Sequence, residues 1–545
     1  MRTESVPFSL LPRQSKLFLD HQHDATALRQ FYPTGVRSPF DVVRRVEDVL
    51  SNYKADRNKI CDFLERTALE LGAGPETFAN IELLRDPSTV AVLTGQQTGL
   101  FTGPLYSIFK ALTAIRMSEC LRSRGIKAVP LFWMATEDHD LPEVSKATVI
   151  DSENKLFEAN FVPERTDQGL QVGKVRLNGS IPLEIDKMFS RLPSTEFSGK
   201  LKEELSETWQ EGKSFGSAFG KFLVRLLGKY GIILVDPLDR GLKRAAAPIY
   251  IDAIRRSREI AASLTRRGEE LSVAGYQPQV LIEGDYFPLF FQTDNGVRTA
   301  LRRGADGHIK AKGRPESFSE DEVVEIAAAD PGRLSPGVML RPVVQDHLFP
   351  TICYFGGSAE VAYFAQNSEV YRILDRPVTP ILHRQSLTVI EPKHARTLER
   401  YGLTFSDLFK GEDAIIRRVI DEFVDPGTAG VLMDAEEGIS KQLDRIDEVL
   451  SRLDPTLAAN LATRRRKIAY HLGALRKKYY SRRAETEEAV DRRIKATLTG
   501  LLPGAQLQER ELNVISFLDR FGPGFVDWIY DSIDLDEKGH RLVFI

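Results

Sequence analysis

Cysteine is scarce. The 545-residue chain holds three, Cys61, Cys120 and Cys353, far apart and without a CxxC pair. That excludes a disulfide framework and the common structural zinc patterns, and leaves three buried thiols as the plain reading. Long hydrophobic runs are missing too. The longest, such as VPLFWMA at 129–135, fall well short of the ~18 residues a membrane span needs. The first residues, MRTESVPFSLLPRQ, lack a basic-then-apolar leader. Charge of one sign is absent: 74 basic residues against 77 acidic give a net charge of −3. A generally basic nucleic-acid binder is therefore not expected. Walker A, GxGxxG, GxSxG, zinc-protease and kinase signatures are all missing. These absences point to a soluble cytoplasmic protein with no structural metal.

What is present is ordinary globular composition, 42% hydrophobic and 28% charged, enough to bury a large core. Residues 1–88 read as mostly helical; Val42, Val43, Val46, Val49 and Leu50 make a helical face. Then the grammar changes. TVAVLTGQQ (89–97) is a β-branched run ending in a glycine loop, residues 104–125 read as a helix, and KAVPLFWMATEDHD (127–140) is a second strand ending in charge. This is a parallel α/β unit. Residues 231–236 and 376–391 offer further strands. The stretches 147–230 and 265–345 read as insertions: 147–200 is polar and strand-like, and 280–304 is a hairpin turning at Asp294-Asn295-Gly296.

Residues 393–500 are different. Ile439, Leu443, Ile446, Leu450, Leu453 and Leu457 form a heptad seam. Asp454-Pro455 ends one helix and starts the next, whose seam is Leu461, Ile468, Leu472, Leu475 and Tyr479. An antiparallel helical arm follows. Its segment 464–483 holds nine Lys/Arg and no acid, either a polyanion surface or a solvated face. The expected organisation is a core over 1–392, a coiled coil over 393–500, and a segment over 501–545 that returns to the core.

Three segments could carry chemistry. In TGQQTGLFTGPLY, Gly95, Gly99 and Gly103 recur between strand and helix, beside Gln96 and Gln97. Glycines there let backbone approach a ligand, and the helix start at Gly103, Pro104 and Leu105 suits an anion. ATEDHDLPEV (135–144) crowds Glu137, Asp138, His139, Asp140 and Glu143 at a strand end, a costly grouping unless a cation, an amine or catalysis uses it. We assign Asp138 and Asp140 to an ammonium or Mg²⁺, and His139 to acid–base work or a phosphate contact. In residues 333–366, the polar Arg341, Gln345, Asp346 and His347 interrupt an apolar stretch beside Gly356-Gly357, as pocket-lining residues would. Asp236, Asp239, Arg240 and Lys243, and the pair His383-Arg384, belong to the same class.

TGQQTGLFTGPLYSIFKALTA, FWMATEDHDLPEV, SPGVMLRPVVQDHLFPTICYFGGSAEVAYFAQ and LQERELNVISFLDRFG together resemble the BshC family of bacillithiol biosynthesis over essentially the whole chain. The resemblance implies an α/β Rossmann-like core related to class I aminoacyl-tRNA synthetases and nucleotidyltransferases. It also implies inserted connecting-peptide regions and an α-helical coiled coil that makes a homodimer. The implied reaction is a ligation of cysteine to glucosaminyl-malate with ATP or ADP. Gly103 and Pro104 occupy the place of the synthetase HIGH signature, here TGPLY, and no KMSKS-type lysine motif follows. The family's second nucleotide pocket, between core and coiled coil, would draw on Glu391, Gln508, Arg510 and Asn513. Two other readings stand beside this one: a non-catalytic assembly protein that binds nucleotide or substrate, and an RNA-binding synthetase relative.

Overall fold

Five apolar, β-branched runs form one parallel sheet in the computed structural model, which describes residues 2–23, 28–36, 38–424, 426–486 and 488–545. The strands are β1 (Val90–Gln96), β2 (Ala128–Met134), β3 (Ile233–Val235), β4 (Thr351–Gly356) and β5 (Ile381–His383). Their order across the sheet is β5-β4-β1-β2-β3, and every neighbouring pair is parallel. Such strands are covered on both faces, so they read as unbroken apolar runs rather than as alternation. Every residue of β2 is buried. The strand β4, TICYFG, adjoins the GG turn and was legible in the sequence only as a polar-interrupted apolar stretch.

The chain leaves β1 in one direction, toward β2 and β3, and later returns to add β4 and β5 on the other side. The reversal lies between β1 and β4, and open α/β sheets bind ligands at the carboxyl ends of strands flanking such a reversal. Five helices supply or support side chains at that end of the sheet: α1 (Tyr106–Ser123), α2 (Phe215–Leu227), α3 (Arg240–Arg255), α4 (Arg341–Leu348) and α5 (Ser358–Ile373). Helix α1 is buried on nearly all sides, from Ser107 to Leu121.

The two insertions differ. Residues 286–336 form a five-stranded antiparallel sheet. Its central hairpin pairs Tyr286–Gln292 with Arg298–Arg303, closing through Gly296 at a φ of 84°, as the Asp294-Asn295-Gly296 signal predicts. The other insertion corrects the strand-like reading of 147–200. One short hairpin, Lys146–Ile150 with Leu156–Asn160, is followed by helices Ser180–Arg191 and Ser198–Thr208. The helical face there is Ile181, Ile185 and Met188, spaced for burial on one side; Gly179 and Pro182 at its start masked the period.

The chain divides into two units. One comprises Thr3–Thr388 with Glu509–Val543 and contains both larger sheets; the other comprises Val389–Gln508 with the outermost residues of both ends. The second unit is helical. Its two longest helices, α6 (Pro426–Leu453) and α7 (Pro455–Thr486), meet at Asp454 and run antiparallel. Arg465 pairs with Asp444 at 2.6 Å and Arg476 with Glu436 at 2.8 Å, so part of the basic run 464–483 is spent inside the hairpin. The seam is only half covered within one chain: Leu453 is 73% exposed and Leu457 48%. No helix among the described residues is long and apolar enough to cross a membrane.

Candidate active site

At the carboxyl ends of β1, β2 and β4 the first unit encloses a cavity of about 360 Å³. Gln96 and Gln97 reach it from β1, Trp133 and Asp138 from β2 and the loop beyond it, and Tyr354 from β4. Arg341 and Gln345 enter from α4, and Arg384 and Arg510 from the segments after β5 and at 510. Gln96, Gln97, Asp138, Arg341, Gln345 and Arg510, singled out in the sequence, thus share one cavity.

The acid side is built around Gln97. Its amide donates to Asp138 at 2.8 Å and to Glu143 at 3.1 Å. Asp138 also accepts from the His139 backbone amide at 2.8 Å. Burial opposes ionisation of Asp138, but Gln97, the Arg298 guanidinium and that amide outweigh it and hold its carboxyl below the usual range. Asp138 is therefore a carboxylate at neutral pH.

The opposite wall is cationic. Arg384 is buried, and its guanidinium grips Glu509 bidentately at 2.7 and 2.8 Å. Glu509 also accepts from Ser386 and from the Leu387 amide. Burial again opposes the charge, yet Arg384 and Ser386 bring the Glu509 carboxyl down to about 2. The Nε of Arg384 has no partner among the described residues. Arg341 donates to the Tyr363 hydroxyl at 3.4 Å. Neither Arg341 nor Arg510 has a carboxylate partner among the described residues. Two guanidiniums without a direct ion pair beside a cavity fit an anionic ligand, although Glu360 and Asp138 lie near enough to Arg341 to act on its charge.

The floor is a charge pair that the sequence reading missed. Lys110 of α1 donates to the Gly95 carbonyl at 2.9 Å, to Gln96 Oε1 at 2.8 Å, and to Glu360. Glu360 accepts in turn from the Gly357 amide, closing a cap on α5, and from the Tyr354 hydroxyl. Burial pushes the Lys110 ammonium down against the pull of Glu360. The available signals were a lysine inside the apolar run SIFKALTAI and a glutamate three residues past Gly357.

The glycine loop works differently from expectation. A Cβ on Gly95 would lie 2.7 Å from the Trp133 carbonyl, and one on Gly99 2.7 Å from Gly103 Cα. These glycines permit close packing of backbone on backbone. Between them Phe101 and Thr102 hold positive φ of 52° and 80°, a strained turn. Asn513 secures it, donating to the carbonyls of Leu100, Phe101 and Gly103 at 3.3, 2.9 and 2.8 Å. Asn513 is thus a brace for the loop. Gly103, Pro104 and Asn513 line an adjoining pocket of about 180 Å³. Leu105 is fully buried, and its amide donates to the Leu512 carbonyl at 2.9 Å, so it offers nothing to an anion.

Other candidates lie elsewhere. His139 is outside the lining of the cavity. Its Nδ1 faces Arg298 at 3.0 Å and its ring tilts against Phe290. Burial and Arg298 lower its proton affinity against the pull of Asp138 and Asp140, so it is neutral near pH 7. Asp140 is exposed and caps nothing through its side chain. Asp346 turns away, accepting hydrogen bonds from Tyr371 and Thr379. In the helical unit, Gln508 spends its amide on both polar groups of the Val389 backbone and on the Gly500 carbonyl. Glu391 is the residue before helix Pro392–Arg400. No cluster of three or more metal-ligating side chains occurs among the described residues.

Asp346 yields a pH test. Burial raises its carboxyl from 3.8 to about 6. The folded form therefore binds a proton more tightly than the unfolded one. The resulting stabilisation is full below about pH 4 and is lost as pH rises through about 6. Relative to Asp346→Asn, the parent's melting temperature should climb as pH falls from 6 to 4; parallel profiles would show that Asp346 is not the titrating group.

Family models match both parts of the chain. Bacillithiol biosynthesis BshC, N-terminal Rossmann-like domain, matches residues 1–385, and Bacillithiol biosynthesis BshC, C-terminal coiled-coil domain, matches residues 387–545. A relative from Solibacter usitatus is 34% identical and one from Koribacter versatilis 32%, each aligned over 100% of both chains. One from Geobacillus kaustophilus is 28% identical over the same full span. All three carry, provisionally, the name cysteine ligase BshC. A solved chain titled as an arginyl-tRNA synthetase of Campylobacter jejuni covers 86% of this chain at 12% identity, with a TM-score of 0.24, too loose a likeness to place any residue.

Proposed function

Since this chain belongs to the BshC family of bacillithiol biosynthesis, we propose that it is a cysteine ligase working in the 360 Å³ cavity, where it joins cysteine to glucosaminyl-malate. The observation that carries this reading is that a carboxylate, Asp138, and two guanidiniums without ion pairs among the described residues, Arg341 and Arg510, line one cavity.

Amide formation from a free carboxylate is uphill in water, so the cysteine carboxyl must be activated. ATP supplies a phosphate-type leaving group when bound. Arg341 and Arg510 hold the anionic groups, and the buried Arg384 stiffens that wall. The C–N bond forms as the C–O bond to the leaving group breaks. The amine attacks as the free base, and as the C–N bond forms its nitrogen becomes strongly acidic, so that the ionised Asp138 carboxylate accepts the proton. A nucleotide-dependent reaction fits a cytoplasmic enzyme.

The test is direct: purified chain with cysteine, glucosaminyl-malate, ATP and Mg²⁺, read by mass spectrometry for bacillithiol. Product overturns the assembly-protein reading; no product with any nucleotide or metal overturns ours.

The exposed seam of α6 and α7 supports a homodimer through the helical unit. Leu453, Leu457 and Ile446 leave apolar surface in water that a second copy would cover. Deleting residues 432–497 should convert a dimer to a monomer by light scattering. A dimer that survives the deletion would place the interface elsewhere.

A further inference from the structure

Successive side chains of a strand point to opposite faces of its sheet. Trp133 of β2 lines the candidate active site, while Met134 lines a second cavity, of about 630 Å³. Its wall comes from helix Arg57–Leu71, the start of α2, the end of β3 and the first turns of α3. Nothing in the proposed ligation uses it.

Two observations show what it would hold. The first is Asp236, at the end of β3. One carboxylate oxygen, Oδ1, is occupied: it accepts from the Thr136 hydroxyl at 2.5 Å and from the Leu238 amide at 3.0 Å. The other, Oδ2, has no partner among the described residues, and Asp236 lines the cavity. Burial raises its proton affinity, although Thr136 and Leu238 pull the other way. A carboxylate oxygen left open to a cavity can accept from a ligand hydroxyl or amine. The second is a pair of arginines one turn apart on α3, Arg240 and Arg244. Both are exposed and line the cavity, as do Glu70 and Asp239, and neither arginine has an ion-pair partner among the described residues. Arg66, on the facing helix, comes no nearer than 3.6 Å to Asp239. The helix starts themselves are closed, because Ser214 and Asp239 cap their own backbones. The cationic side chains are therefore what would bind an anion here.

We propose that this cavity is a second ligand site, and that it takes a hydroxyl-bearing phosphate ester, with the phosphate on Arg240 and Arg244 and a hydroxyl on Asp236. A nucleotide and a sugar phosphate share this chemistry. The site lies one loop away from the first. Thr136 bonds to Asp236, Glu137 pairs with Lys243 between the two arginines, and Asp138 lines the active-site cavity. Occupancy of either cavity is thus positioned to alter the other through three consecutive residues, and any such coupling is reciprocal.

The test is calorimetric titration of the full chain with ribose 5-phosphate, ADP and inorganic phosphate. Melting curves accompany each variant, and Arg341→Ala, in the first cavity, is the control. Arg240→Ala/Arg244→Ala should weaken ribose 5-phosphate binding at least about tenfold, about 1.4 kcal/mol, while Arg341→Ala removes only the heat that ADP contributes at the first cavity. In the Arg341→Ala background, a stronger response to ADP than to ribose 5-phosphate identifies a nucleotide site, and equal responses a sugar-phosphate site. Asp236→Ala should remove the preference for esters over inorganic phosphate. A preference that survives it overturns the hydroxyl contact. Loss of binding with Arg341→Ala but not with the double variant would assign the heat to the first cavity and overturn the proposal. So would the absence of binding of any probe at about 1 mM. None of these outcomes depends on ligase activity, so the cysteine-ligase reading can fail without this one.

Discussion

Asp138→Asn is expected to lower bacillithiol formation by about 10²–10⁴-fold, the usual cost of losing a general base. The side chain sits where the amine must lose its proton, and its environment keeps it ionised: Gln97 donates to it at 2.8 Å and Arg298 lies 3.9 Å away. Asparagine has nearly the same shape but can accept from only one of Gln97 and the His139 amide, so the melting temperature should fall modestly. The loss should therefore fall on turnover. His139→Ala should cost much less, because its ring lies outside the cavity and is engaged by Arg298. If Asp138→Asn works as well as the parent, or if His139→Ala is the more damaging change, the proton acceptor has been misassigned.

The second large effect concerns stability. Lys110→Met should destabilise the protein by about 3–5 kcal/mol, because it strands the Glu360 charge inside the protein. Lys110 has a side-chain exposure of 3% and Glu360 of 17%, so water offers little relief. Adding Glu360→Gln to Lys110→Met should restore much of the loss. Glutamine keeps an acceptor for the Gly357 amide and the Tyr354 hydroxyl without the orphaned charge. Thermal melts of the two single variants and the double variant settle the matter. A double variant no more stable than Lys110→Met would mean that the pair acts through packing rather than charge.

Much of this protein was readable before any coordinates. The strands 90–96, 128–134 and 233–235 announce themselves as short β-branched runs closed by glycine or acid, because strands buried on both faces carry no polar alternation. The hairpin at Asp294-Asn295-Gly296 was legible because few residues accept its backbone geometry. The break at Asp454-Pro455 and the heptads around it marked the two long helices. The paired glutamines and Asp138 stand out by a similar route, as polar groups at the end of an apolar strand, and the structure brings them to one cavity.

The errors have one origin. His139, Asp140 and Asp346 stand out through their neighbours in the chain, and Leu105 through its place at a helix start. Whether a side chain at a strand end enters a cavity or turns from it depends on one step of backbone rotation, and the local sequence does not record that step. Lys110 and Glu360 show the converse: 250 residues apart, each looks like an isolated charge until the sheet order brings α1 beside α5.

By itself the sequence determined the family, the parallel-sheet character of the core and the antiparallel arm, because those come from periodicity, turn chemistry and motif, which are local. Only the tertiary structure decided which charges meet. It set Asp138 opposite Arg341, seated Lys110 on Glu360, and opened separate cavities on the two faces of β2. The physical reason is that ion pairs and cavities are made by residues brought together across a reversal in strand order, at separations where no pattern along the chain survives.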